Sequence, residues 1–435
     1  MPKAKKKQPK INKLFNYFNP KTPRGGILLF ALVFALGGGG YWLYRSFAFT
    51  PRVCTSFNAP LEITEGGTYS GCWQSTDGKT PAVTIKTTAP VIIWNSTIKG
   101  NFQLIKDGVT GVDLTVRRTN FIGVTPTGEV ASRRAIRLDK NAANLRLTNN
   151  YFENTAGIKV TGWGNAGSEK QTIKILRNKV RNITNARVSD GDHLVQFVQL
   201  GQINQIAGVE IAWNEVINTY GQSRVEDNIN LYQTGGAGDT DAARIRIYNN
   251  FIWGAYPSPY NEAYYRGGGI IAGDTNYGKY IGWVDIYNNQ VVGTTNYGVS
   301  IVCGHDNRAY GNRVISSGKT RPALPGDARF PQANVGLSGN NATAWNGRCD
   351  PGNYTNNEFS DNIVGWMNAA NKRNDSTFRC GQKNSVGETI LCATNKNNTS
   401  ISADPNTEIT YASEENEFSL WQQKLRSNNI AIGVQ

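Results

Sequence analysis

Short runs of alternating apolar and polar residues, each closed by an asparagine, recur down the middle of the chain. They read LRLTNNYF, IKILRNKV, VEIAWNEV, IRIYNNFI, VDIYNNQV and RAYGNRV, and carry Asn150, Asn178, Asn214, Asn250, Asn289 and Asn312. NEFSDNIV with Asn362 continues the series, and WNSTI with Asn95 and RTNFI with Asn120 are read as its start. Alternation of period two is what a strand with one buried face produces. A second set follows the first: AIRL (135–138), GIKV (157–160), LVQFV (194–198), NINLY (228–232), GGIIAG (268–273) and GVSIV (298–302). Two strand families alternating along one chain predict two faces of a coil.

The gaps between the asparagines run from 23 to 50 residues. Repetition on that scale marks a solenoid or a propeller. Propeller blades repeat evenly, whereas a β-helix absorbs uneven gaps at its turns while the stacked strands keep register. Each asparagine suits a left-handed turn, and its amide can bond to the same position one coil on. About nine coils, stacked about 4.8 Å apart, fit residues 60–370.

Other segments lie outside this pattern. Gly25–Tyr44 is twenty residues without a charge around ILLFALVFAL, with Tyr41, Trp42 and Tyr44 at its end. At about 1.5 Å per residue it matches a bilayer core of about 30 Å. The expected organisation is therefore a basic tail (1–24), a transmembrane signal-anchor helix (25–47), a β-helix (53–370) and a C-terminal extension (371–435). Positive charge ahead of the segment predicts a single-pass protein with a cytoplasmic N-terminus and a periplasmic or extracellular β-helix. A cleaved signal peptide is the alternative. Ser413–Asn428 reads as a short amphipathic helix capped by Ser413, with Phe418, Trp421 and Leu425 on one face against the solenoid.

Composition agrees with a turn-rich β protein: 47 glycines, 18% charged and 10% aromatic residues. The net charge of +14 is a property of the tail. Residues 1–24 hold eight basic residues and no acid, and Arg45 and Arg52 add two, which leaves +4 for the rest. A nearly neutral solenoid argues against nucleic-acid binding. No phosphate-binding loop or dinucleotide fingerprint occurs, and GGGIIAG lacks a following helix pattern, which argues against a nucleotide-dependent enzyme as well. Cys54, Cys72, Cys303, Cys349, Cys380 and Cys392 are even in number and have no zinc-like spacing. They predict up to three disulfides. Local pairing gives Cys54–Cys72, Cys303–Cys349 and Cys380–Cys392, one of fifteen possible connectivities.

The segments LRLTNNYFENTAGIKV, IRIYNNFI and VDIYNNQVVGTTNYGVSIV resemble the right-handed parallel β-helix repeats of the pectin-lyase-like superfamily. The resemblance covers roughly residues 60–370. It implies an all-β, right-handed parallel β-helix. It implies less about activity, because that superfamily holds polysaccharide lyases, glycoside hydrolases, uronate epimerases and non-catalytic adhesins. SDGDH, EDN and CGHDNR echo its polygalacturonase-like motifs only loosely.

Chemistry is expected where acids gather. Asp190, Asp192 and His193 precede one second-family strand, and Glu226 and Asp227 precede the next. Aligning these strands at an offset of 34–36 residues stacks acid on acid about 5 Å apart. Such a pair either shares a proton for acid–base work, with His193 assisting, or binds a cation such as Ca²⁺ through Asp190, Asp192, Glu226 and Asp227. Turn chemistry alone would also place Asp there. Asp274, His305 and Arg308 are secondary candidates. The insertion at 251–269 offers Trp253, Tyr256, Tyr260, Tyr264, Tyr265 and Arg266 for stacking on sugar rings and pairing with carboxylates. The function these residues point to is binding of an acidic polysaccharide, with cleavage by a lyase or glycosidase mechanism. A non-catalytic cell-envelope binding or adhesion β-helix is the alternative.

Overall fold

In each coil the chain makes three short strands, and these sort into three parallel sheets of eleven strands each. The computed structural model describes residues 52–124, 133–185, 195–257, 267–274, 281–341, 349, 351–378, 380–383, 387 and 389–435. The first coil is β1 (Leu61–Ile63), β2 (Gly67–Tyr69) and β3 (Cys72–Ser75), and the last is β31 (Ser376–Thr377), β32 (Thr394–Lys396) and β33 (Thr399–Ser400). We call the sheets that begin with β1, β2 and β3 sheets 1, 2 and 3. The eleventh coil lies beyond residue 370. Pro51–Gln435 make one compact unit.

Two expected strand families become three because each asparagine run spans a corner. LRLTNNYF is β11 (Asn144–Thr148) of sheet 2 followed by β12 (Tyr151–Glu153) of sheet 3. The residue before each ladder asparagine takes the left-handed conformation: Asn149, Arg177, Trp213, Asn249, Asn288 and Asp361 all have φ between 52° and 58°. One such residue bends the chain and turns the next side chain inward. That inward asparagine is buried and reaches the next coil. Asn150 Nδ2 donates to Asn178 Oδ1 at 3.1 Å, Asn178 to Asn214 at 2.9 Å, Asn214 to Asn250 at 2.9 Å, and so on to Asn398. Each amide also donates to a backbone carbonyl, as Asn178 does to Leu147, so the column satisfies itself. Toward the N-terminus the position is held by Thr119 and Ser96, the first taking Asn150 Oδ1 on its N–H and the second accepting from Gly71. Asn95 and Asn120 therefore sit beside the ladder, not in it.

The interior is a continuous apolar column, with Phe121 stacked on Phe152 at 4.7 Å. The three disulfides are Cys54–Cys72, Cys303–Cys349 and Cys380–Cys392, the pairing expected from the sequence. The first ties Cys54 to the first coil.

The expectation of an N-terminal transmembrane helix, and of a single-pass protein anchored by it, is not supported. Residues 25–47 lie outside the described residues. Among the described residues no helix is long and apolar enough to cross a membrane. The α-helix found there, α1 (Tyr411–Ser427), is at the other end of the chain. It is polar on one side and serves the solenoid: Phe418, Trp421 and Leu425 pack against Phe251, Val292, Trp213 and Trp253 of the outer face of sheet 3 and its corner. Thr410, not Ser413, is the N-cap, and Ser413 returns its hydroxyl to the Thr410 N–H at 3.3 Å. The fold class is thus an all-β parallel β-helix with one C-terminal helix laid along it.

Candidate functional site

The site residues stand on the outer face of sheet 1. Its strands include β7 (Ile105–Asp107), β10 (Ile136–Leu138), β13 (Ile158–Thr161), β16 (Val198–Gly201), β19 (Asp227–Tyr232), β22 (Gly268–Ala272) and β25 (Tyr297–Ile301). Ile136, Ile158, Val198, Ile229 and Ile270 fill the core. The residues one position on point outward by strand alternation. Register sets Lys106, Arg137, Lys159, Gln199 and Asn230 abreast on five successive coils. Three cations are thus followed by two amides. A groove of about 370 Å³ lies over the middle of this row, lined by Arg137, Asp139, Lys159, Gln199, Thr161, Gln202 and Tyr232. Arg137 is held in it by Asp139 at 2.5 Å.

Past Gln199 the row runs into acids. Asn230 Nδ2 donates to Asp227 Oδ2 at 2.9 Å and to Asp274 Oδ2 at 3.3 Å, so two carboxylates meet at one amide nitrogen. The Tyr297 hydroxyl, two coils on, donates to Asp227 Oδ1. Gly268 stands between them in register, and a Cβ there would lie 2.1 Å from Asp227 Oδ1. The glycine is what lets the contact span a coil. Burial, reinforced by the negative charge of Asp227, Asp274 and Glu226, raises the Tyr297 phenol well above its usual range. It keeps its proton at neutral pH and acts as a donor. Gln196 Nε2 donates to Glu226 Oε2 at 2.5 Å, and buried Arg134 donates to Gln196 Oε1 at 3.1 Å.

The sequence-derived candidates divide sharply. Glu226, Asp227 and Asp274 come together here. Asp190, Asp192 and His193 lie outside the described residues. The expected 34–36 residue offset is not the one found: Val198 pairs with Ile229, 31 residues on, and the Glu226 N–H bonds to the Val195 carbonyl. The run VQFVQL alternates in two possible registers, and the strand is its later half, which is why the alignment slipped. Among the described residues no group of three or more His, Cys, Asp or Glu side chains is arranged to hold a metal ion.

The aromatic loop divides as well. Trp253 sits in β21 (Phe251–Ala255) beneath α1, its Nε1 3.3 Å from Glu414, and Tyr256 is buried against Phe330 and Tyr220. Neither faces the groove. Tyr260, Tyr264, Tyr265 and Arg266 lie outside the described residues. His305 is buried just ahead of a sheet 2 strand, bonded to Asp306 at 2.6 Å and edge-on to Trp283. Arg308 belongs to a charge ladder on sheet 2 in which Lys174, Glu210, Arg246, Asp285, Arg308 and Glu358 alternate in sign, coil by coil. It grips Asp285 at 2.7 and 2.8 Å, away from the acids of sheet 1. Sequence reading missed Arg137, Lys159, Gln199, Asn230 and Tyr297. The signal for Arg137, Lys159 and Asn230 was present, as polar members of the second strand family, whereas Gln199 and Tyr297 fall just outside its segments.

No protein-family model matches the chain, and no curated protein or solved structure is found similar to it. What fold and geometry define is a parallel β-helix protein with a polar groove on one outer face, lined by Arg137 and Lys159, and with Asp227 and Asp274 on the coils beyond it.

Proposed function

We propose that the protein binds an acidic polysaccharide along the outer face of sheet 1 and cleaves it beside Asp227. The observation that carries this reading is the row Lys106, Arg137, Lys159 leading, coil by coil, to the Asp227–Asp274 pair. Coils rise about 4.8 Å each, so an extended anionic chain lying along the solenoid meets a cation at successive steps. Two carboxylates this close do not ionise independently, which prepares one to give a proton and the other to take one or to attack. Tyr297 is a positioning residue: its hydroxyl fixes Asp227, and its raised pKa keeps that donor in place. The likeness of the repeats to the pectin-lyase-like superfamily supports a sugar ligand by analogy.

One observation favours a second reading, that of a non-catalytic binding β-helix. Asp227 is only 3% exposed, and both of its oxygens already accept hydrogen bonds. The test separates the two. Wild-type protein and Asp227→Asn are compared on a panel of oligouronates, with calorimetry for binding and chromatography for products. Turnover lost in the variant, with binding retained, supports cleavage. Binding without turnover in both selects the second reading, and no binding overturns both.

A further inference from the structure

A glycine inside a strand costs backbone entropy and adds no packing, so it needs a reason. In this solenoid the reason is nearly always visible. At Gly268, Gly269, Gly298, Gly336 and Gly339 a Cβ would collide with a neighbouring side chain or backbone, and Gly254 and Gly293 have a positive φ. Gly201, the last residue of β16, has neither reason, and among the glycines of the described strands it is alone in this. Its φ lies outside the left-handed region. A Cβ there would meet nothing nearer than Val160 O at 3.8 Å, Tyr232 Cδ1 at 3.9 Å and Thr161 Oγ1 at 4.0 Å, which is ordinary van der Waals contact. An alanine would fit without moving anything. A glycine that the backbone does not need marks a place where a ligand approaches closely. Gly201 lines the groove of sheet 1.

The surroundings say what would come close. Register puts Thr161 on the coil before Gly201 and Tyr232 on the coil after it, and both line the groove. The empty Cβ position is in contact range of both, so the gap admits one ring between a hydroxyl and an aromatic side chain. Gln199, the previous outward residue of β16, lines the groove too, and its Oε1 is buried with no hydrogen-bond partner. Buried polar atoms without partners are rare and ask for an explanation. A ligand hydroxyl supplies one, because it both donates and accepts and so satisfies the amide in either orientation. We infer that Gly201 is the floor of a pyranose subsite, with one sugar ring seated against Tyr232 and a ring hydroxyl bonded to Gln199. The C–H face of a pyranose packs on an aromatic ring and its hydroxyls bond to an amide, so this ring is held without charge. The inference rests on the reading of the groove as a polysaccharide site and deepens it: the side chain missing at residue 201 decides whether a ring fits there.

Wild type, Gly201→Ala and Gly201→Val are compared as full chains. The probes are a galacturonate hexamer, built of acidic rings alone, and a heparosan hexasaccharide, in which acidic and neutral rings alternate. Calorimetry measures binding, and thermal melting reports folding. Gly201→Ala should melt at or above the wild-type temperature, since a strand glycine is replaced and nothing is displaced. It should weaken binding of whichever probe the wild type takes by about tenfold, the worth of one misplaced carbon in a fitted site, and Gly201→Val should weaken it further. The loss should be the same at low and high salt, because an uncharged contact is not screened. Tyr232→Phe keeps the ring and should bind as the wild type does, whereas Tyr232→Leu should not. That pair carries the test if Gly201→Val fails to fold. Equal binding by wild type and Gly201→Ala overturns the subsite and leaves the polysaccharide reading standing. A lower melting temperature in Gly201→Ala with unchanged binding does the same, and makes the glycine a packing partner of Tyr232. No binding of either probe by the wild type removes the polysaccharide reading, and the subsite with it.

Discussion

The outer faces of sheets 1 and 3 belong to the same coils, yet they end in opposite condition. Sheet 3 lies under α1, and the acids that the helix buries against it are paired, although Gln290 Oε1 and Trp366 Nε1 on that sheet are buried without a partner. Glu417, fully buried, takes Arg313 on both oxygens at 2.6 and 2.8 Å and Gln290 at 3.0 Å. Glu414, also fully buried, takes the Ser317 N–H at 2.6 Å and hydroxyl at 2.7 Å. Trp421 Nε1 donates to Glu215 at 2.8 Å. Sheet 1 keeps a groove, a row of cations and buried acceptors with no partner. What sets sheet 1 apart is a groove lined by cations that no helix covers, and that contrast is the argument for placing function there.

The contrast breaks first on sheet 3. Glu417→Ala leaves Arg313 and Gln290 facing a cavity under the helix. Removing one partner of a buried, hydrogen-bonded ion pair costs about 3–5 kcal/mol. Thermal unfolding should show the loss, and limited proteolysis should open the chain near α1 before the coils. An unchanged melting temperature would mean that α1 contributes little to the solenoid.

The next effect is a pH dependence. Burial raises the Glu414 carboxyl to about 7, against a usual value of 4.5, although the bonds from Ser317 and Trp253 pull it back. Glu415 adds to the rise, and Tyr411 and buried Tyr256 are the other titratable groups near it. Below about 4.5 the group is neutral folded and unfolded, and α1 docks at full strength. As the pH climbs from about 4.5 through about 7 the unfolded chain ionises first, and stability falls by on the order of 2–3 kcal/mol. Melting curves across that window should show the slope in the wild type and a flatter line in Glu414→Gln. A wild-type slope of the opposite sign would mean that Glu414 is ionised when buried.

These two residues also show how far the sequence could be read. The solenoid was legible because its signal repeats: six well-matched runs carry an asparagine at the same corner, and each reinforces the others. The apolar face of α1 was legible for the same reason, through Phe418, Trp421 and Leu425. Glu414 and Glu417 were not, because nothing in a helical period says that an acid on it will be buried against Ser317 or Arg313 on distant coils. The site was half legible. Glu226, Asp227 and Asp274 were found as acids near turns. Their neighbours were not, because an error of three residues in placing β16 moves every outward side chain. The third sheet was hidden at the corner, where one left-handed residue divides a run that reads as a single strand.

A smaller effect compares the two faces through one chemical change. Ser317→Ala removes the hydroxyl bonded to Glu414 and should cost about 1–2 kcal/mol, since a buried carboxyl loses a hydrogen-bond partner. Ser338 lies on the outer face of sheet 1, abreast of Ser300, and its buried hydroxyl oxygen has no partner. Ser338→Ala should change stability by less than about 0.5 kcal/mol, or raise it, because no bond is lost and a polar atom is removed from the interior. Denaturant midpoints measure both. Equal losses would mean that the two faces are alike, and the argument for sheet 1 would lose its footing.

The smallest change in stability should carry the largest functional meaning. Lys174 on sheet 2 is 5% exposed and pairs with Glu210 at 2.7 Å, a ladder member with a structural partner. Lys159 lines the groove of sheet 1. Lys174→Gln should destabilise by about 1–3 kcal/mol, because Glu210 loses one of its two cations in a half-buried ladder. Lys159→Gln should destabilise less than Lys174→Gln does. It should weaken binding of an oligouronate by on the order of 1 kcal/mol, roughly fivefold in Kd. The pair discriminates because the substitution is the same and only the face differs. If Lys159→Gln lowers the melting temperature as Lys174→Gln does and leaves binding alone, the cations of sheet 1 are another structural ladder, and the ligand must be sought elsewhere on the solenoid.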